Sequence, residues 1–210
     1  VKIQREWDRI PPVEDTSTLL GLWRDFEERR DNPDSLVHKY KDDIPRYCYE
    51  APSFDQAIAR AVLARRPNGK MHNHQSKQAK ILPVWWHALK NNSERRRIML
   101  DVETFDQLYE YLWSWRISGI GPMTVYDTAV RLGEYLGVEP KALYFHAGVE
   151  GGLIALVRRG YVNGKLIEHK RKIPMHYLPK PLSNKPADMV EDFLCTYREA
   201  ILELPSRDES

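Results

Sequence analysis

Apolar positions along this chain recur at helical spacing almost throughout. Leu19, Leu20, Leu22, Trp23 and Phe26 follow Asp15 and precede Arg29 and Arg30. Acids early and bases late suit the helix dipole, so an amphipathic helix is predicted from Asp15 to Arg30. Pro33 to Tyr49 reads as a mixed, Pro-broken connection. Ser53 precedes Phe54, Ile58, Ala61, Val62 and Leu63, with Gln56 placed for a capping box, which predicts a second helix ending near Arg66. Pro67-Asn68-Gly69 stops it, and Lys70 to Lys80 reads as an exposed, basic loop. A short helix is predicted from Pro83 to Asn91, and Arg95 to Leu100 continues the helical tendency.

Thr104 and Gln107 repeat the capping-box pattern, and Phe105, Leu108, Leu112 and Trp115 fall on one helical face. Ser118-Gly119-Ile120-Gly121-Pro122 interrupts that face. Tyr126, Ala129, Val130, Gly133 and Leu136 then resume it, giving a tight helix–turn–helix over about 104–136. Leu153, Ile154, Leu156 and Val157 predict another helix after His146-Ala147-Gly148. Residues 160–184 read as irregular, with a small hairpin turn at Val162 to Lys165, and Val190, Phe193, Leu194, Tyr197, Ile201 and Leu202 predict a closing helix between Pro186 and Pro205. No long strand pattern and no repeat occur. The expected fold is all-α: a single compact multi-helix domain over 1–210, with an irregular segment before the C-terminal helix.

Composition fits that reading. With 210 residues, 42% of them apolar and 10% aromatic, the chain can bury a core without disulfides or a structural metal. A charged fraction of 30% argues against a membrane span, and the uncharged apolar run from Ile81 to Trp86 is short and contains a Pro. Val1 to Ile10 has no apolar core of the signal-peptide kind, so a cytoplasmic location is expected. Cys48 and Cys195 form no CxxC and are expected to be reduced and structural; no metal and no cofactor is expected.

The formal net charge of +2 hides segregation: residues 56–98 carry ten basic side chains and only Glu94 acidic, and residues 158–184 carry seven against one. The remaining blocks are acidic. Two basic stretches could converge on one phosphate-attracting face or remain dispersed over a solvated surface.

Chemistry concentrates at Gly119-Ile120-Gly121. Two glycines let the backbone turn steeply and approach another molecule closely, and the amides of the following helix lie at its positive end, suited to a phosphate. A plain connector between antiparallel helices would use the same residues. The run Ile117-Ser118-Gly119-Ile120-Gly121-Pro122-Met123-Thr124 resembles the helix-hairpin-helix element of DNA-binding proteins, and its setting is similar to the base-excision DNA glycosylases of that superfamily. That resemblance implies an all-helical fold in which Gly119, Ile120, Gly121 and Thr124 grip a DNA phosphate, with Ile120 anchoring the turn in the core. The family's catalytic groups are not matched. Met123 stands where bifunctional members have a nucleophilic lysine, and Leu143-Tyr144-Phe145-His146 stands where the family has its aspartate.

Candidate replacements for the missing acid are His146, Asp127, and His72 with His74, whose imidazoles could serve as acid and base or take a metal. Lys70, Lys77 and Arg95-Arg96-Arg97 are candidate phosphate contacts, and Trp85, Trp86 and Tyr144 candidate walls for a flipped base. The function expected from the sequence is DNA binding, with base excision or DNA modification as its setting. The alternatives are a non-catalytic module that meets an acidic protein partner, and a metal-dependent nuclease using the His72/His74 loop.

Overall fold

The computed structural model describes residues 17–35, 37–38, 43–168 and 170–207, apart from the side chains of Asn73 and His74. The described residues are mostly helical, with nine α-helices and one two-stranded sheet, so the all-α expectation holds. No helix among them is long and apolar enough to cross a membrane. By internal contacts the chain divides into two compact units, one made of Val1–Lys41 with Lys141–Ser210 and the other of Asp42–Pro140.

The split unit holds α1 (Leu19–Asp31), β1 (Ala142–Tyr144), α8 (Ala147–Arg158), β2 (Lys172–Pro174) and α9 (Ala187–Glu203). Thr18 caps α1 by accepting from the Gly21 amide, 3.0 Å away; Asp15, where the sequence starts this helix, lies outside the described residues. The apolar face of α1 packs Trp23 and Phe26 against Phe193 and Tyr197 of α9, with ring centroids 5.3 to 5.6 Å apart. α8 lies along α9, bringing Leu153 and Leu156 into the same core as Phe193 and Leu194.

β1 and β2 pair antiparallel with Leu143 opposite Ile173, both fully buried. The sequence shows no such sheet because three-residue strands are too short to display a period of two. The hairpin expected at Val162 to Lys165 is instead a 3₁₀ turn over Gly164–Leu166, whose amide at Lys165 is capped by the Asn163 side chain.

The continuous unit holds α2 (Ile44–Tyr49), α3 (Phe54–Leu63), α4 (Leu82–Lys90), α5 (Ser93–Leu100), α6 (Phe105–Ser114) and α7 (Pro122–Leu136). α2 was not legible in the Pro-broken stretch: Pro45 sits in its first turn, where a missing N–H costs nothing. Ser53 and Thr104 are N-caps as expected, and only at Thr104 is the capping box complete, Gln107 returning its side chain to the cap amide. Ile58, Leu82, Trp85, Leu89, Leu108 and Leu112 are buried in this unit. α7 packs against α2, α3 and α6 and is the central helix of the unit.

Candidate functional site

α6 ends at Ser114 and α7 begins at Pro122, so the turn between them covers the glycine pair. Gly119 has φ +89°, the left-handed region that favours glycine. A Cβ there would lie 2.6 Å from Ile81 Cδ1. Ile120 turns inward and is 4% exposed, as its expected anchoring role requires, and its amide donates to the Ile117 carbonyl at 3.1 Å. Gly121 has ordinary extended backbone and open space around its Cα: a Cβ would meet nothing within 4 Å. Ser118, Gly119 and Pro122 are exposed. The first amides of α7 have no carbonyl four residues back within the helix and sit at the positive end of its dipole.

Thr124 departs from the role implied by the resemblance. It is buried, and its hydroxyl donates to Gln78 Oε1 at 2.6 Å. The other end of the same amide donates to the Gly119 carbonyl at 3.2 Å. Gln78 therefore clamps the turn to the 3₁₀ segment Asn73–Gln78, and the side chain of Thr124 is spent inside the protein. Sequence reasoning missed Gln78, since an amide in a polar loop carries no periodic signal.

His72 and Asp127 do come together, but in a way that gives them a structural role. Gln75, almost fully buried, stands at the centre of this group. Its Oε1 lies 3.0 Å from His72 Nδ1 and accepts from Arg131 Nη2 at 3.3 Å, while its Nε2 donates to Asp127 Oδ2. Arg131 is 0% exposed, faces Asp127 at 3.8 Å one helical turn away, and reaches the Ala61 carbonyl at 3.4 Å. A carboxylate that faces a buried guanidinium and accepts from an amide is engaged on the protein side. Of the candidates for the missing acid, Asp127 and His72 thus belong to a polar network that ties α7 to the 73–78 segment. His74 is part of that segment, but its side chain lies outside the described residues.

The basic candidates divide into two groups. Arg96 is paired with Asp55 at 2.6 Å, and Arg95 lies over the Trp115 ring at 5.4 Å and reaches the Ala88 carbonyl at 3.4 Å. Both are used in packing α5. Lys70, Lys77, Lys80 and Arg97 are exposed. The base-pocket expectation is corrected at Trp85 and Tyr144, which are core residues at 0% and 1% exposure. Trp85 Nε1 donates to the Trp115 carbonyl at 3.1 Å, satisfying the end of α6, and Tyr144 belongs to β1 in the other unit. Trp86 is half-buried, with Lys90 Nζ 5.1 Å from its ring centre.

No family model matches the chain, and neither a curated protein nor a solved structure matches it.

His146 lies in the split unit, where it is the N-cap residue of α8 and 3% exposed. Its Nε2 is 2.9 Å from Glu191 Oε1, and the Cys195 thiol donates to the same oxygen at 3.1 Å. Glu191 and Cys195 are one turn apart on α9, a spacing visible in the sequence once their helix is accepted. Nearby, Asp192 pairs with Arg30. Burial first, and then the Glu191 charge, push the Asp192 carboxyl up to about 8 against the lowering pull of Arg30. With 40% of that side chain open to water, solvent screens part of the effect.

Proposed function

We propose that this protein binds DNA through the phosphate backbone at the hairpin joining α6 and α7. The observation that carries this reading is the turn itself. Gly119 in left-handed conformation and Ile120 sunk into the core leave Gly121 with no neighbour within 4 Å of a Cβ, immediately before the amides of a 15-residue helix. A phosphate oxygen approaching such a turn meets backbone donors without side-chain obstruction. The segment clamped to the turn by Gln78 carries Lys77, and Lys80 follows it; both are exposed and supply positive charge. Of the two acids of α7, Asp127 and Glu134, the one nearer the turn, Asp127, is matched by Arg131. Contacts of this kind position a duplex and read no bases. The proposal is for binding and includes no excision step.

The test is fluorescence anisotropy of labelled duplex and single-stranded DNA at two salt concentrations, with the wild-type chain and Gly121→Val. Expected is salt-sensitive duplex binding that the variant loses while its circular dichroism stays that of the folded chain. Absence of binding at low salt, or wild-type affinity in the variant, refutes the proposal.

A further inference from the structure

We propose that His146, Glu191 and Cys195 form a binding site for a divalent transition cation of the zinc type. The site is independent of the hairpin. Its three ligand atoms, an imidazole nitrogen, a carboxylate oxygen and a thiol sulfur, lie within 4.8 Å of one another. Glu191 and Cys195 project from one face of α9, and His146 reaches them from the start of α8, which packs along that helix.

The dimensions suit a tetrahedral ion. Zinc bonds of about 2.0–2.3 Å place adjacent ligand atoms roughly 3.3–3.7 Å apart. The present separations from Glu191 Oε1, 2.9 Å to His146 and 3.1 Å to Cys195, need to open by a fraction of an ångström, and the imidazole and sulfur, within 4.8 Å of each other, must settle into the same range. Thiolate with imidazole favours zinc or cobalt over magnesium and calcium, which prefer all-oxygen shells. Three protein ligands leave a fourth position for water. His146 is buried while Glu191 and Cys195 are partly exposed, which anchors the imidazole from the side of α8.

Gly148 supplies a separate observation. A Cβ at that position would stand 2.4 Å from Cys195 Sγ and 3.4 Å from His146 Cε1. The bare first turn of α8 is what allows the sulfur to lie beside the imidazole. That helix start also favours negative charge, and metal binding requires the thiol to give up its proton. On binding, the Cys195 S–H proton leaves to solvent, the sulfur becomes a ligand, and no redox change occurs.

The experiment is titration of the metal-free 210-residue chain with Co²⁺, followed by absorbance. Expected is one equivalent bound with a thiolate-to-cobalt charge-transfer band and tetrahedral visible bands, displaced by Zn²⁺ and not by Mg²⁺. Because even a residue that only orients a ligand is worth about 10- to 100-fold in metal affinity, Cys195→Ser and His146→Asn should each lose at least about that much. Asparagine keeps the N-cap preference, so His146→Asn removes the imidazole with little cost to α8. Gly148→Ala, which retains all three ligands, should weaken binding by displacing the sulfur, and Cys48→Ser should change nothing. Circular dichroism checks each fold. Should a ligand variant unfold, protection of wild-type Cys195 from alkylation by Zn²⁺ decides the question. The proposal is overturned by no charge-transfer band at one equivalent, by a band that survives Cys195→Ser, by unchanged affinity in folded His146→Asn, or by alkylation of Cys195 that Zn²⁺ does not slow.

Discussion

Replacing Asp127 by Ala separates a structural carboxylate from a catalytic one. Asp127 faces the buried guanidinium of Arg131 at 3.8 Å, and its own side chain is 16% exposed. Two unit charges at that distance interact by about 4 kcal/mol at an effective permittivity near 20. The hydrogen bond from Gln75 is lost as well. Residual solvent reduces the sum, and breaking a buried pair by removing one partner costs about 3–5 kcal/mol in general, so about 3 kcal/mol is expected here. For a chain of this size each kcal/mol lowers the melting temperature by about 2–4 °C, which gives a fall of about 6–12 °C. The assay is thermal unfolding followed by circular dichroism, with Arg131→Met and the double variant alongside. Removing both charges should recover most of the loss, because an apolar replacement of a buried pair is close to neutral. A melt for Asp127→Ala within about a degree of wild type would refute the structural role assigned to this network, given the size of the effect expected from a broken buried pair.

Four further outcomes follow from the packing. Gly119→Ala forces a Cβ onto a backbone at φ +89° and against Ile81, so it should destabilise by about 1 kcal/mol or more in a denaturant titration. Exchanging Lys77 and Lys80 for Ala should leave stability intact and lower the salt dependence of DNA binding by about one for each lysine that contacts a phosphate. Tyr197→Phe removes a 2.8 Å hydrogen bond to buried Asp25, which also accepts from Arg29, and should cost about 1.5–3 kcal/mol by chemical denaturation. Thr104→Ala opens the capping box of α6 and should cost about 1 kcal/mol in the same measurement.

Much of the fold was legible in the chain because helix formation is written locally. Thr104 with Gln107, Ser53, and the apolar stripes of α1, α6, α7 and α9 each set an element from residues within a few turns of one another. The hairpin was legible for the same reason: only glycine is at ease at the φ of residue 119, and an isoleucine between two glycines has one apolar place to go. What the sequence could not settle was the partner of each polar side chain. His72 and Asp127 looked like chemistry until Gln75 and Arg131 filled the space around them, across 52 to 56 residues of chain. Arg95 and Arg96 looked like phosphate contacts, and tertiary packing gave them Trp115 and Asp55. Trp85 and Tyr144 looked like pocket walls and went to the cores of separate units. The His146, Glu191 and Cys195 cluster depends on α8 and α9 meeting where Gly148 has no side chain, a coincidence of two segments that no local period records. Periodicity fixes which face of a helix is apolar; which polar groups meet across helices is fixed by docking, where burial obliges each of them to find a partner.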